Sequence, residues 1–326
     1  MKISREKLFA EAETTGFRAE ILEKSIHLLN LLNGFHSHPF LKKRLALKGG
    51  TALNLFIFEI PRLSVDIDLN YVGDAKREIM LAERPDVEKA IQAVCAQEGY
   101  SVRYVPQEHA GGKWLLRYES ALGQGGNLEI DVNFMFRVPL WKVTSMTSRS
   151  VGFYKASGIT VLDRHELAAG KLAALLARRA SRDLFDSHLL LTQSNLKQEH
   201  LRTAFVVYGA MNRKDWRSVS VNDVDFEETD LQNELLPVLR KGTLGTPRQI
   251  EIWGRRLVEE CRRALDIVLP FTENELEFLD RLLGHGEINP FLLTDNETLA
   301  ERIQHHPLLE WKAINVRQTK KGNKNR

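Results

Sequence analysis

The sequence predicts an α+β protein, a mixed or antiparallel sheet with helices that is followed by a helical lobe. Three observations carry this. Residues 64–69 read SVDIDL: Val65, Ile67 and Leu69 alternate with Ser64, Asp66 and Asp68, the period of a half-buried strand. Residues 113–120 and 128–136 also alternate and flank Gly123-Gln124-Gly125-Gly126-Asn127, the pattern of a hairpin. From about Glu199 onward, apolar residues recur at helical spacing through 201–211, 231–239, 250–267 and 276–283, with breaks that include Pro237 and Pro270. A helix followed by several strands argues against a doubly wound parallel sheet.

In order along the chain, residues 4–36 come first. Leu8, Phe17, Ile21, Leu22, Ile26, Leu29, Leu32 and Phe35 recur every three or four positions there, which predicts helices packed on the sheet. Lys42-Lys43-Arg44 reads as a solvated charge run before the strand-like Leu45-Ala46-Leu47. Lys48-Gly49-Gly50-Thr51 is a glycine turn feeding an apolar helical run, 52–58, which Pro61 stops. A charged helix is expected over 77–99, a strand over 101–105, and a short strand over 159–162. Asp163 starts a helix running to Arg179; Glu166 stands at capping-box spacing from it, so capping competes with catalysis for that side chain. These readings divide the chain into 1–195, 196–316 and a tail, 317–326. The tail, RQTKKGNKNR, has five basic residues and no acid, a composition expected to be disordered and to add salt-dependent affinity for RNA.

Composition narrows the class. Hydrophobic residues make up 43% of the chain and charged residues 27%, proportions ordinary for a soluble globular protein. No apolar run reaches the roughly 20 residues of a membrane span, and MKISREKLFAEAETTGF is too charged for a signal peptide. Cys95 and Cys261 alone make no disulfide framework, so a cytoplasmic location without membrane association is expected. A net charge of +3 permits a nucleic-acid partner without demanding one.

The chemistry centres on 48–71. Asp66 and Asp68 share one strand face, where like charges repel. The pair is either an exposed acidic face or a site for Mg²⁺, which takes hard oxygen ligands. If residues 127–136 (NLEIDVNFMF) lie alongside, Asp131 completes a cluster of three carboxylates, enough for metal-assisted displacement at phosphorus. Gly49-Gly50 before a helix start suits phosphate, or is a plain tight turn. Lys171 lies in the apolar stripe Leu167, Lys171, Ala174, Leu175. It either snorkels to solvent or meets an anion. Arg255-Arg256 and Arg262-Arg263 could form a basic stripe, or a solvated face.

The glycine turn, the D-x-D strand and a third Asp on a neighbouring strand resemble the DNA polymerase β-like nucleotidyltransferase superfamily. The fuller string, KGGTAL at 48–53 with RLSVDIDL at 62–69, looks like the AbiEii/AbiGii (MenT-like) toxins. The likeness continues at Glu166 to Leu172, which contains Lys171, and at Arg179, Arg182, Asp183 and Asp186, which match R-x-x-R/K-D-x-x-D. It implies a polymerase-β-like nucleotidyltransferase domain plus a C-terminal helical lobe, with the nucleotide and acceptor in a cleft. It implies a toxin of a toxin–antitoxin or phage-defence system, of the abortive-infection kind, with a cognate antitoxin. The activity implied is Mg²⁺-dependent transfer of NMP from an NTP to RNA, such as the tRNA 3′ end, arresting translation and growth. Asp66, Asp68, Asp131, Lys171 and Asp183 are the implied catalytic residues, the first three holding metal. Lys48, Gly49, Gly50, Thr51, Ser64, Lys171, Arg182 and Asp186 are the implied nucleotide contacts. Ser64, two residues before Asp66, is also a candidate phosphorylation switch. Two alternatives stay open: a protein or small-molecule hydroxyl as acceptor, and a non-catalytic nucleotide-binding module.

Overall fold

The computed structural model describes residues 3–107, 111–242 and 246–324. It divides into two compact units. The first comprises Met1–Arg137, Val143–Leu162 and Gln232–Thr246; the second comprises Val138–Lys142, Asp163–Leu231 and Pro247–Arg326.

The first unit opens with two helices, α1 (Arg5–Thr15) and α2 (Ala19–Ser37). Ser4 caps α1 by accepting the Lys7 N–H, and Gly16 ends it in the left-handed conformation. Strand β1 (Leu45–Lys48) leads into the short α3 (Gly49–Ala52), which widens to a π-type turn through Ile57. The chain thus leaves the helix before Pro61. Then come β2 (Asp66–Tyr71), α4 (Arg77–Gln97), β3 (Ser101–Gln107), β4 (Gly111–Glu119), β5 (Gly125–Asn133), β6 (Thr144–Met146) and β7 (Ile159–Val161). The last short strand is as expected, whereas β6 carries no alternation long enough to read.

The strands form one mixed sheet of order β3-β4-β5-β2-β1-β7-β6. β2 pairs with β5 in parallel and β1 with β7 in parallel; the other neighbours are antiparallel. Opposed residues share a face. Leu47, Leu69 and Val132 are in line, as are Ile67, Ile130 and Trp114, and all six are buried. The same alternation that sends these residues inward sends Asp66, Asp68 and Asp131 to the opposite face. Leu22, Ile26, Leu29 and Leu32 of α2 are buried as well, each contributing about 1.5–3 kcal/mol relative to exposure.

The β4–β5 turn is not where the glycines suggested. Glu119 pairs with Gly125, so the turn occupies Ser120 to Gln124, and Gly125-Gly126-Asn127 belongs to the strand. Glu23 of α2 fixes that turn by accepting from the Ser120 hydroxyl and the Ala121 N–H.

The second unit is helical: α5 (Arg164–Ala177), α6 (Ser181–Gln193), α7 (Gln198–Ala210), the single turn α8 (Glu228–Asp230), α9 (Pro247–Ala264), α10 (Glu273–Asp280), α11 (Glu297–Gln304) and α12 (Pro307–Lys324). Two features differ from the sequence-based expectation. α5 and α6 group with the later helices, while Gln232–Thr246, within the expected helical lobe, groups with the first unit. The basic tail continues α12 as helix as far as Lys324, and its last two residues lie outside the described ones. Among the described residues, no helix is long and apolar enough to cross a membrane.

Candidate active site

The site in the first unit follows from strand register. Lys48 of β1 lies opposite Asp68 of β2, Asp68 opposite Asp131 of β5, and Asp131 opposite Lys113 of β4. A second row holds Asp66, Glu129 and Leu115. Adjacent strands are about 4.8 Å apart, so four carboxylates, two on each of two strands, crowd one face.

That crowding shows in the electrostatics. The Asp131 carboxyl is raised above its ordinary range, first by partial burial and then by the neighbouring Asp68 and Glu129, with Lys113 and Lys48 opposing the shift. Lys113 Nζ stands 2.6 Å from Glu129 Oε2 and 3.9 Å from Asp131 Oδ2. Glu129 holds the Lys113 pKa up, aided by Asp131 and Asp66. Lys113 and Glu129 escaped the sequence-based site. Placing the hairpin turn at 120–124 would have put Lys113 opposite Asp131.

The glycine turn borders this row. Gly49 has φ +72°, and a Cβ there would fall 2.3 Å from Asp68 Oδ2. Only a residue without a side chain leaves room for that carboxylate. A Cβ on Gly50 would lie 2.7 Å from Arg62 Nη2 and 3.4 Å from Ser64 Oγ. Arg62 is buried, and its Nη1 donates to the Leu63 carbonyl. It underlies the turn, a position that only the structure reveals.

Thr51 and Ser64, both expected at the nucleotide, are buried against each other. Their hydroxyl oxygens are 2.8 Å apart, and the Thr51 hydroxyl donates to the Asp66 carbonyl at 2.5 Å. The pair ties α3 to the start of β2. Phosphorylation of Ser64 would need this contact to open.

In the second unit, Lys171 of α5 reaches Asp183 Oδ1 at 2.9 Å and Asp186 Oδ2 at 3.1 Å, both on α6. Asp183 and Asp186 are almost wholly buried. Arg178 Nε approaches Asp183 Oδ2 at 2.6 Å. Burial alone would raise the Asp183 carboxyl, but Lys171 and Arg178 outweigh it and hold it below its ordinary value. The apolar stripe therefore hides an ion-paired ammonium. Arg179 is near Asp225, at 3.6 Å, and Arg182 follows Ser181 at the α6 start. Asp230 supplies the α6 cap from a distance, accepting from the Ser181 N–H and hydroxyl.

Glu166 does not complete a capping box. Asp163 caps α5 by accepting the His165 N–H. Glu166 instead accepts from Leu140 N, Trp141 N and the Tyr208 hydroxyl at 3.0–3.1 Å. Burial pushes its carboxyl up to about 7 despite these bonds.

Among the described residues, no group of three or more Asp, Glu, His or Cys side chains is placed to hold a metal ion. The donors at the row are nonetheless all carboxylate oxygens, and Gly49, with no Cβ, keeps the space by Asp68 clear. This set suits a hard divalent cation rather than a soft one.

Paired acidic strands beside a glycine turn, on a mixed sheet with a helical unit, define the layout of a nucleotidyltransferase. The comparisons agree. The family model described as "Nucleotidyl transferase AbiEii toxin, Type IV TA system" matches residues 30–270, and the chain belongs to that family of nucleotidyltransferase toxins. Its fold is similar to that of MenT4, a nucleotidyltransferase toxin from Mycobacterium tuberculosis H37Rv, with a TM-score of 0.54 over 97% of this chain and 100% of the other at 15% identity. No curated protein matches the chain. Membership in a type IV toxin–antitoxin family implies a nucleotide substrate and an antitoxin partner.

Proposed function

We propose that the protein transfers NMP from an NTP to an RNA hydroxyl, with the tRNA 3′ end as acceptor, and so arrests translation and growth in the cytoplasm until its antitoxin intervenes. The observation that carries this is the in-register row Lys48, Asp68, Asp131 and Lys113, with Asp66 two residues from Asp68.

Asp66 and Asp68 would hold Mg²⁺, which when bound neutralises phosphate charge and makes the α-phosphorus more electrophilic. Asp131, with its raised carboxyl, either accepts or orients the proton of the attacking hydroxyl or holds a second metal ion. The backbone of Gly49-Gly50 receives the nucleotide phosphates, helped by Lys48. Lys171, held by Asp183 and Asp186, serves the same reaction by offsetting charge that develops on the phosphates. Atoms balance simply: the hydroxyl oxygen bonds to the α-phosphorus, the α–β bridging bond breaks, and pyrophosphate leaves.

The test is incubation with Mg²⁺, each α-labelled NTP in turn, and either total RNA or RNA depleted of tRNA. Label in a tRNA-sized band that disappears on depletion is the expected result. Label in protein or a small molecule would move the acceptor to that class. Nucleotide binding without transfer would leave a binding module.

A further inference from the structure

The sheet face that carries the acidic row does not end at Asp131 and Lys113. It extends over β4 to the sheet edge at β3. Register places Arg103 opposite Leu115, and Leu115 opposite Glu129; Ser101 lies opposite Arg117, and Arg117 opposite Asn127. Ser101, Arg103, Arg117 and Asn127 are exposed, while the alternate residues Trp114, Leu116, Leu128 and Ile130 are buried on the reverse face. The exposed residues border a shallow depression of about 420 Å³, whose lining also includes Glu129 of the acidic row.

The charge on this face is arranged in order. Lys113 is satisfied by Glu129 at 2.6 Å. Arg103 and Arg117 have no carboxylate partner among the described residues. They are diagonal neighbours across two strands, where side-chain origins stand about 7–8 Å apart and like charges repel. Two adjacent, unneutralised arginines on an open sheet face are tolerated in water and favoured by a polyanion. Strand spacing and rise put them about 12–14 Å from Asp131, one side chain's reach plus a nucleotide or two. Glu119, opposite Gly125 at the next step, closes the basic stretch. The arginines of α9 differ: Arg255 and Arg256 are each paired in the helix, with Glu251 at 2.7 Å and Glu260 at 2.7 Å.

We propose that the open face of β3, β4 and β5, centred on Arg103 and Arg117, is a phosphodiester track that holds an RNA strand beside the acidic row. The inference rests on the RNA reading of the acceptor, and it assigns the place where that acceptor is gripped. Among the described residues, the position between the arginines on this face is held by Leu115 and by no aromatic ring. The track therefore binds backbone without reading bases, and its affinity falls with salt.

The test is fluorescence anisotropy with the full chain and a labelled single-stranded RNA oligonucleotide, without NTP, across a salt series. The comparison is between wild type, Arg103→Ala/Arg117→Ala and Arg255→Ala/Arg256→Ala. The first double variant is expected to lose affinity about tenfold, and its log–log salt slope to become shallower by about 1.4, or 0.7 per lost phosphate contact. The α9 variant should match wild type. Both pairs are exposed, so unchanged thermal unfolding serves as the folding control. Equal affinity and slope in Arg103→Ala/Arg117→Ala, or no RNA binding by wild type, would overturn the proposal. Binding of polyglutamate in place of RNA would overturn it in favour of an acidic protein partner. Because the assay involves no transfer, its outcome is separate from that of the labelling reaction: a track can exist without transfer, and transfer without this track.

Discussion

Replacing Gly49 by Ala tests the link between the turn and the acidic row most sharply. The backbone there has φ +72°, a conformation that costs an L-residue about 1–3 kcal/mol. The new Cβ would begin 2.3 Å from Asp68 Oδ2 and 3.0 Å from its Cγ. Restoring ordinary contact requires the carboxylate to move by about 1 Å, and a displacement of that size at a reacting centre costs roughly 10²-fold in rate. Gly49→Ala should therefore remain folded, lose about 1–3 kcal/mol in urea denaturation, and lose about a hundredfold in nucleotide transfer. Gly50→Ala is the internal comparison. Its Cβ would meet the end of the Arg62 side chain at 2.7 Å, not a carboxylate of the row, so its activity should fall less than that of Gly49→Ala. Wild-type transfer by Gly49→Ala, or equal loss in both variants, would refute the idea that Gly49 exists to make room for Asp68.

Three further outcomes are expected. Asp131 must be ionised to accept a proton, so activity should rise with pH through a carboxyl value above the ordinary range; Lys113 pulls that value down, and Lys113→Gln should shift the acid limb of the kcat/KM profile to higher pH. Lys171→Met leaves Asp183 and Asp186 buried without their shared ammonium, which should cost about 3–5 kcal/mol in chemical denaturation, so activity in this variant must be measured at a temperature where it is folded. Glu166, ordinarily 4.5 and here about 7, binds its proton more tightly folded than unfolded; its stabilising effect is full below the unfolded value and lost as pH rises through the folded one. Wild type should lose on the order of 3 kcal/mol from this group between those two values, and Glu166→Gln should flatten that part of the stability profile while retaining transfer.

The core of the candidate site was legible as a set of neighbours because its signal is local. Alternation in 64–69 and 127–133 told which side chains share a face, and the glycine pair marked the turn. The direct opposition of Asp68 and Asp131 was only conditional in the sequence, because no local pattern specifies that β2 and β5 are parallel neighbours. Lys113 was missed for a related reason. A glycine-rich stretch drew the hairpin turn to 123–127, whereas Glu23, far away in sequence, pins it at Ser120 and Ala121. That change of register decides which residue faces Asp131. Glu166 shows the opposite failure: spacing offered a capping box, and tertiary partners at Leu140, Trp141 and Tyr208 claimed the carboxylate instead. The Lys171 stripe left snorkelling and an anionic partner both open, and the motif R-x-x-R/K-D-x-x-D named Asp183 and Asp186 without showing that both would close on the same ammonium. The arginines of β3 and β4 carry no motif; they become a feature only when register puts them side by side.

The most direct measurement is the initial rate of label transfer from α-labelled NTP to RNA with Mg²⁺ for wild type, Asp66→Ala, Asp68→Ala and Asp131→Asn, each checked for an intact fold by thermal unfolding. Transfer by wild type and a loss of at least a hundredfold in all three folded variants is the expected result. Undiminished transfer in any folded variant of Asp66 or Asp68 would contradict the assignment of the acidic row as the place where the phosphoryl bond is made.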